Sequence, residues 1–369
     1  MAISMFVAAA IALVPPAFNY SGAVWVPSQK RHRTYHVLFP NHVHRQSPAI
    51  LLLHGNGADG TAMALEQNMT QRAPEAGFYL IYPDGFENAS STLRTKQRSW
   101  NAGSCCDSAL LHDSDDVGFL AAIMTDLVTR FPIDKTKIFL TGTSNGGSMA
   151  LRGLCELAPR LAGVAVDIPS FEPFDGSVAC ATRCSNSSDG YTYCDWDTRR
   201  KGCTINDWST LPPIFGCENL RTHHVPLLLF SGRLDPVGNI SGQVSFPTDP
   251  GKKDGYNTSF PPMAYVPHFV LKQYGCDPTT PPKVSFQNGT SGNATLCQTW
   301  PCSTNVTMCW ADAGHRWFGD VYDRYAVCRW EGYAEDDCST IDDLETYGPN
   351  TMSVHVTEQV LSFFTSVIL

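Results

Sequence analysis

The stretch from Lys137 to Ala158 constrains this chain more than any other. A short apolar strand (KIFLT), the five residues Gly142-Thr143-Ser144-Asn145-Gly146 and a helical run over Ser148 to Ala158 follow one another without a spacer. A strand that turns straight into a helix lifts the apex of the turn above the sheet edge, and flanking glycines let the backbone bend where side chains would collide. Ser144 is therefore a candidate nucleophile. An ordinary Gly-rich turn with a serine cap has the same letters, so the reading rests on the strand-turn-helix context.

The rest of the chain repeats that alternation. Thr34 to Pro40 alternates like a strand, while Ala49 to Leu53, Phe78 to Tyr82, Leu161 to Ile168 and Val225 to Phe230 are continuous apolar runs, as expected of strands buried on both faces. Val306 to Ala311 is also strand-like. Val117 to Phe131 has helical apolar spacing, with Asp115 or Asp116 placed to cap its first turn, and Val354 to Ile368 reads as an amphipathic closing helix. Such an order predicts an α/β fold with a mostly parallel central sheet flanked by helices. With 369 residues, 43% hydrophobic and 17% charged, one large domain over 24–369 accommodates it.

A serine hydroxyl is inert near neutral pH unless a base takes its proton, and that base needs an acid to orient it. In a strand-turn-helix hydrolase the chain order is serine, acid, histidine. Asp235 follows the strand Val225 to Phe230, where the acid should hang from a strand end, although Asp-Pro also starts turns. His315 follows the strand Val306 to Ala311. Of the other histidines, His223 and His224 precede the acid, His268 lies in a predicted helix, His355 lies on the closing helix, and the remainder precede Ser144. Donors for a developing oxyanion are the backbone N–H of Asn145 and one from His54-Gly55-Asn56-Gly57, with Asn56 preferred and Gly57 the alternative. This chemistry needs no cofactor and no metal. His112-Asp113-Ser114-Asp115-Asp116 lacks the ordered spacing of a calcium loop and reads as a helix cap.

Several features point to export. Met1 to Val14 is almost wholly apolar and too short to span a bilayer, so it reads as a signal peptide within 1–23, with Ser21-Gly22-Ala23 as a small-residue cleavage site. Fourteen cysteines without metal-ligand spacing imply disulfides. Asn-x-Ser/Thr sequons at Asn19, Asn68, Asn88, Asn186, Asn239, Asn257, Asn288, Asn293 and Asn305 suggest a glycosylated protein of the eukaryotic secretory route. The net charge of −9, with no basic patch, argues against nucleic acid as a partner, and no stable membrane insertion is expected.

The segment 170–224 is polar, aromatic and cysteine-rich, and reads as a disulfide-rich insertion between two strands of the sheet. Its five cysteines are an odd number, so at least one pairs outside it, and Cys155 is the natural partner for Cys217. Cys105 and Cys106, adjacent in sequence, each pair elsewhere, because a trans peptide holds their Cα atoms closer than a disulfide prefers. Tyr191, Tyr193, Trp196 and Trp208 either line a sugar or aryl site or form the small lobe's own core.

Taken in order, several landmarks resemble the secreted esterase family of feruloyl esterases, acetylxylan esterases and polyhydroxybutyrate depolymerases. They are Leu53-His54-Gly55, Tyr82-Pro83-Asp84-Gly85, Ser99-Trp100-Asn101-Ala102-Gly103-Ser104-Cys105-Cys106, Asp115-Asp116-Val117-Gly118-Phe119, Gly142 to Gly147, Leu234-Asp235-Pro236 and Gly314-His315-Arg316-Trp317-Phe318-Gly319. The resemblance implies an α/β-hydrolase fold, the triad already chosen, and a polymeric ester as substrate. Plant polysaccharide esters lead, with polyester depolymerisation or an inactive hydrolase-fold binding module as alternatives. Phe318 stands where the family usually carries proline, and the lack of cysteines beside Ser144 and His315 sets the chain apart from the tannase-like branch.

Overall fold

The protein was analysed as a computed structural model, which describes residues 18–66, 68–89, 96–103, 106–169, 181–186, 192–196, 217–235, 243–245, 257–259, 263–288, 294–315, 317 and 355–369. The apolar N-terminal run, Cys105, Tyr191, Trp208, Phe318 and the sequons at Asn239 and Asn293 lie outside the described residues.

The strands that build the main sheet are β1 (Tyr20–Val26), β2 (Arg31–Leu38), β3 (Ser47–Leu53), β4 (Tyr79–Pro83), β5 (Ile133–Thr143) and β6 (Gly163–Asp167). After β7 (Ala181–Asn186) and β8 (Thr192–Trp196), which pair only with each other, come β9 (Leu227–Gly232) and the small pair β10 (Gln243–Ser245) and β11 (Asn257–Ser259). The sheet ends with β12 (Lys283–Asn288), β13 (Ala294–Trp300) and β14 (Val306–Ala311). Its order is β1-β2-β4-β3-β5-β6-β9-β14-β13-β12. From β4 to β14 every neighbouring pair is parallel, and the antiparallel pairs lie at the two margins.

Continuous apolar runs dictate this centre, since a parallel strand covered on both faces must be hydrophobic at successive positions. Leu51, Leu53, Leu140, Val164, Val166, Leu227 and Leu229 point to a core shared with α4 (Asp116–Arg130), α5 (Ser144–Glu156) and α6 (Tyr265–Gln273). Ile50, Leu52, Phe139, Ala165, Leu228 and Phe230 point the other way, toward α1 (Gly60–Glu66), α2 (Met69–Glu75) and the closing α7 (Val356–Ile368). Phe364 of α7 stacks on Phe139 with centroids 4.4 Å apart. Full burial of such a ring stabilises by about 1.5–3 kcal/mol.

The antiparallel margins were not foreseen. Asn239 to Cys309 reads in sequence as a second disulfide-rich, glycosylated stretch, yet it supplies β12 and β13, and Val284 and Phe286 of the edge strand β12 are exposed. Ser21 to Ala23 form part of β1, opposite His36, Tyr35 and Thr34 of β2. Asp115, not Asp116, caps α4, accepting from the Gly118 N–H at 2.8 Å, while Asp116 turns inward to pair with Arg33.

Disulfides join Cys155 to Cys217, Cys276 to Cys302 and Cys297 to Cys309. The first ties α5 to the end of the 170–224 segment, the pairing expected from the odd cysteine count. The last links directly opposed residues of β13 and β14. No helix among the described residues is long and apolar enough to cross a membrane.

Candidate active site

The chain leaves β5 and enters α5 at a single residue, Ser144, whose φ is 52°. That left-handed conformation costs a residue with a Cβ on the order of 1–3 kcal/mol, and only surrounding structure can impose it. The imposing contacts come from backbone. A Cβ at Gly146 would lie 2.3 Å from the carbonyl oxygens of both Leu53 and His54, and one at Gly142 would lie 2.6 Å from the Gly146 oxygen. Both glycines are required for α5 to approach the end of β3 this closely.

Two strands further along, β9 and β14 end side by side. Arg233 N–H donates to the Ala311 carbonyl at 2.8 Å and Leu234 N–H to that of Ala313 at 3.0 Å. A Cβ on Gly232 would meet the Ala313 oxygen at 2.2 Å, so the loops touch where glycine permits. This places Asp235 beside His315. His315 Nδ1 lies 2.8 Å from Asp235 Oδ2, and His315 Nε2 lies 2.7 Å from Ser144 Oγ. An ionised carboxylate only accepts, so Nδ1 carries the proton and Nε2 is free to accept from the serine hydroxyl. The Asp235 side chain is buried and that of His315 nearly so. Serine, histidine and aspartate, 171 and 80 residues apart in pairs, thus form one hydrogen-bonded chain at the carboxyl ends of parallel strands.

Beside Ser144 lies the loop after β3. A Cβ on Gly55 would be 3.7 Å from that of Ser144. The two donors considered for this loop differ in their partners. Gly57 N–H is engaged by the Arg98 carbonyl at 2.9 Å, and the hydrogen bond of Asn56 is made by its side chain, which donates to Asp107 Oδ2 at 2.6 Å. Asn145, the residue after the serine, is buried. Its amide clasps the backbone of Trp100, accepting from Trp100 N–H at 2.7 Å and donating to its carbonyl at 3.0 Å.

His54 is fully buried, and its Nε2 accepts from Gly85 N–H at 2.9 Å. Burial pulls its pKa down to about 4, partly offset by its bond to the Gly55 carbonyl, so it stays neutral. Burial pushes the Asp84 carboxyl up, but His36, Arg98 and Thr34 together hold it well below the usual carboxylate range. Arg33 lies over the Phe119 ring at 3.9 Å and pairs with buried Asp116, whose second oxygen accepts from Asn101 N–H at 2.7 Å. Among the described residues no three His, Cys, Asp or Glu side chains converge as metal ligands.

Residues 38–185 match the profile of the phospholipase/carboxylesterase family. A bifunctional acetylxylan esterase/xylanase of Neocallimastix patriciarum is 23% identical over 36% of this chain and 17% of its own length. A feruloyl esterase B of Piromyces equi is 28% identical over 35% of this chain and 22% of its own length. The chain therefore spans less than a quarter of either relative. Among solved structures, an acetyl xylan esterase from Aspergillus awamori superposes with a TM-score of 0.51 at 15% identity, covering 85% of this chain and 100% of that one. The chain has the α/β-hydrolase fold. The structure brings Ser144, Asp235 and His315 of the sequence reading together, and it adds side-chain or carbonyl contacts of His54, Arg98, Trp100 and Asp107 that the sequence did not indicate. Trp100 stood among the sequence landmarks without a physical reason, because its partners lie 45 and 46 residues away.

Proposed function

We propose that this α/β-hydrolase is a serine carboxylic-ester hydrolase acting by two-step acyl transfer. Ser144 Oγ attacks the ester carbonyl while His315 takes its proton, and Asp235 holds the imidazole in the required tautomer. Backbone N–H groups of Asn145 and Asn56 stabilise the oxyanion. His315 then returns the proton to the departing alcohol, and water, deprotonated by the same imidazole, releases the acid and regenerates the serine. The observation that carries this reading is the continuous hydrogen-bonded chain from Ser144 through His315 to Asp235.

The substrate class we infer is a feruloyl or acetyl ester of plant cell-wall polysaccharide, supported by the names of the two curated relatives. The setting we infer is extracellular, as an N-glycosylated protein. Three disulfides among the described residues and exposed sequon asparagines at Asn68 and Asn305 support it.

A panel of p-nitrophenyl acetate, methyl ferulate, acetylated xylan and a hydroxybutyrate polyester film tests both levels. Ser144→Ala should lower kcat on the small esters by about 10⁴-fold or more. Equal rates for the two proteins would end the esterase reading, and turnover of the polyester film in preference to the xylan would move the substrate class.

A further inference from the structure

We infer that Trp100 is a positioning residue that holds the two oxyanion donors in common register, an inference that rests on the acyl-transfer reading above. The indole Nε1–H donates to the His54 carbonyl at 2.9 Å, while the backbone of the same residue is clasped on both sides by the Asn145 amide. One residue therefore connects, through its backbone and its indole, the residue after Ser144 to the loop after β3. The loop is pinned at two further points. Gly85 N–H donates to His54 Nε2 at 2.9 Å, and Gly57 N–H donates to the Arg98 carbonyl at 2.9 Å. Asn56 N–H lies in the short span between these anchors.

The segment that supplies the anchors is itself fixed from behind. Phe86 and Ser99 exchange backbone hydrogen bonds of 2.7 and 3.1 Å. Asn101 N–H is held by Asp116, and the Asn101 carbonyl accepts from Arg152 of α5 at 2.8 Å. Trp100 is completely buried and 6.4 Å from the parallel ring of Phe119. A group that contributes only core volume needs none of the three hydrogen bonds that tie its indole and backbone to His54 and Asn145. In water these bonds would be worth little, but in a dry interior they orient peptide dipoles without further reorganisation as negative charge develops. The indole N–H thus acts on the reaction through the His54-Gly55-Asn56 peptides, and the Asn145 side chain sets where the indole stands.

Trp100→Phe removes the N–H while keeping an aromatic ring, and Asn145→Ala removes the clasp while keeping the Asn145 backbone donor. Each is to be assayed on p-nitrophenyl acetate and on its thiono analogue, whose carbonyl sulfur makes poorer use of the donors. For either variant kcat on the oxygen ester should fall about tenfold to a hundredfold with KM within about twofold. The oxygen-to-sulfur rate ratio should fall with it, and the double variant should lose less than the product of the singles. An unchanged kcat, or an equal loss on both esters, would overturn the inference, because a merely structural role lowers both alike. If one variant does not fold, the other carries the same test. Full activity in Ser144→Ala would instead remove the acyl-transfer reading itself, a distinct outcome.

Discussion

On the nucleophile side, Ser144 and the His54-Gly57 loop are enclosed by backbone. Gly146 packs against two carbonyl oxygens, His54 is fully buried, and Trp100, Arg98 and Gly85 each hold the loop. On the acid-and-base side, Asp235 and His315 hang from strand ends joined by two backbone hydrogen bonds. Beside those bonds lie an Arg233–Asp312 ion pair that is about one-third exposed and Leu234, 53% exposed. The serine turn has no room to yield, whereas the buried Asp235 and nearly buried His315 sit on loops whose neighbouring side chains meet solvent. Preorganised donors must not move during reaction, while a histidine that ferries a proton tolerates small adjustments. The difference in packing follows the difference in task.

Two glycine substitutions test that contrast. Gly146→Ala would put a methyl group 2.3 Å from the Leu53 and His54 oxygens, neither of which can retreat without breaking β3 or the loop. We expect kcat/KM to fall by about 10³-fold or more, with a stability loss of about 3 kcal/mol by denaturant titration. Gly232→Ala meets the Ala313 oxygen even more closely, at 2.2 Å, but that oxygen belongs to a loop. There the expected loss is about tenfold to a hundredfold in kcat/KM, with a stability change of about 1 kcal/mol. Equal damage from both substitutions would show that the loops after β9 and β14 are as stiff as the serine turn.

The same contrast explains what could be read from the chain alone. Ser144 was legible because strand, turn and helix signals adjoin, and Asp235 and His315 because each follows an apolar run. Two central strands came out within two residues, Leu161 to Ile168 as Gly163–Asp167 and Val225 to Phe230 as Leu227–Gly232, whereas the strand read from Lys137 begins four residues earlier, at Ile133. The helix after the turn starts at Ser144 itself, earlier than its apolar spacing suggests, because its first turn carries Asn145 and two glycines that pack on backbone. The supports of the donor loop were illegible. Arg98, Trp100 and Asp107 reach from a polar segment without periodicity, through hydrogen bonds to residues about 40 to 50 positions away. Such contacts leave no local pattern. To the sequence preference for Asn56 over Gly57 the structure adds that the Gly57 N–H donates to the Arg98 carbonyl.

The close packing of the nucleophile side also carries a pH cost, which is read in stability and not in activity. His54 is held at about 4 by burial against an ordinary value of 6.5, so between these values the unfolded chain binds a proton that the folded one refuses. Stability is therefore full above the ordinary histidine value and declines as pH falls toward 4. The Asp84 carboxyl, held well below its usual range, weakens the fold only at lower pH than this. The linkage is on the order of 1–2 kcal/mol near pH 5.5 and roughly 3 kcal/mol near pH 4. Urea titrations of wild type and His54→Gln across this range separate the contributions. The variant should be less stable near neutrality, having lost the imidazole that accepts from Gly85, but its stability should vary less between pH 6.5 and 4. If both proteins lose stability in parallel, the acid sensitivity arises elsewhere, and the nucleophile side is not where the fold first meets acid.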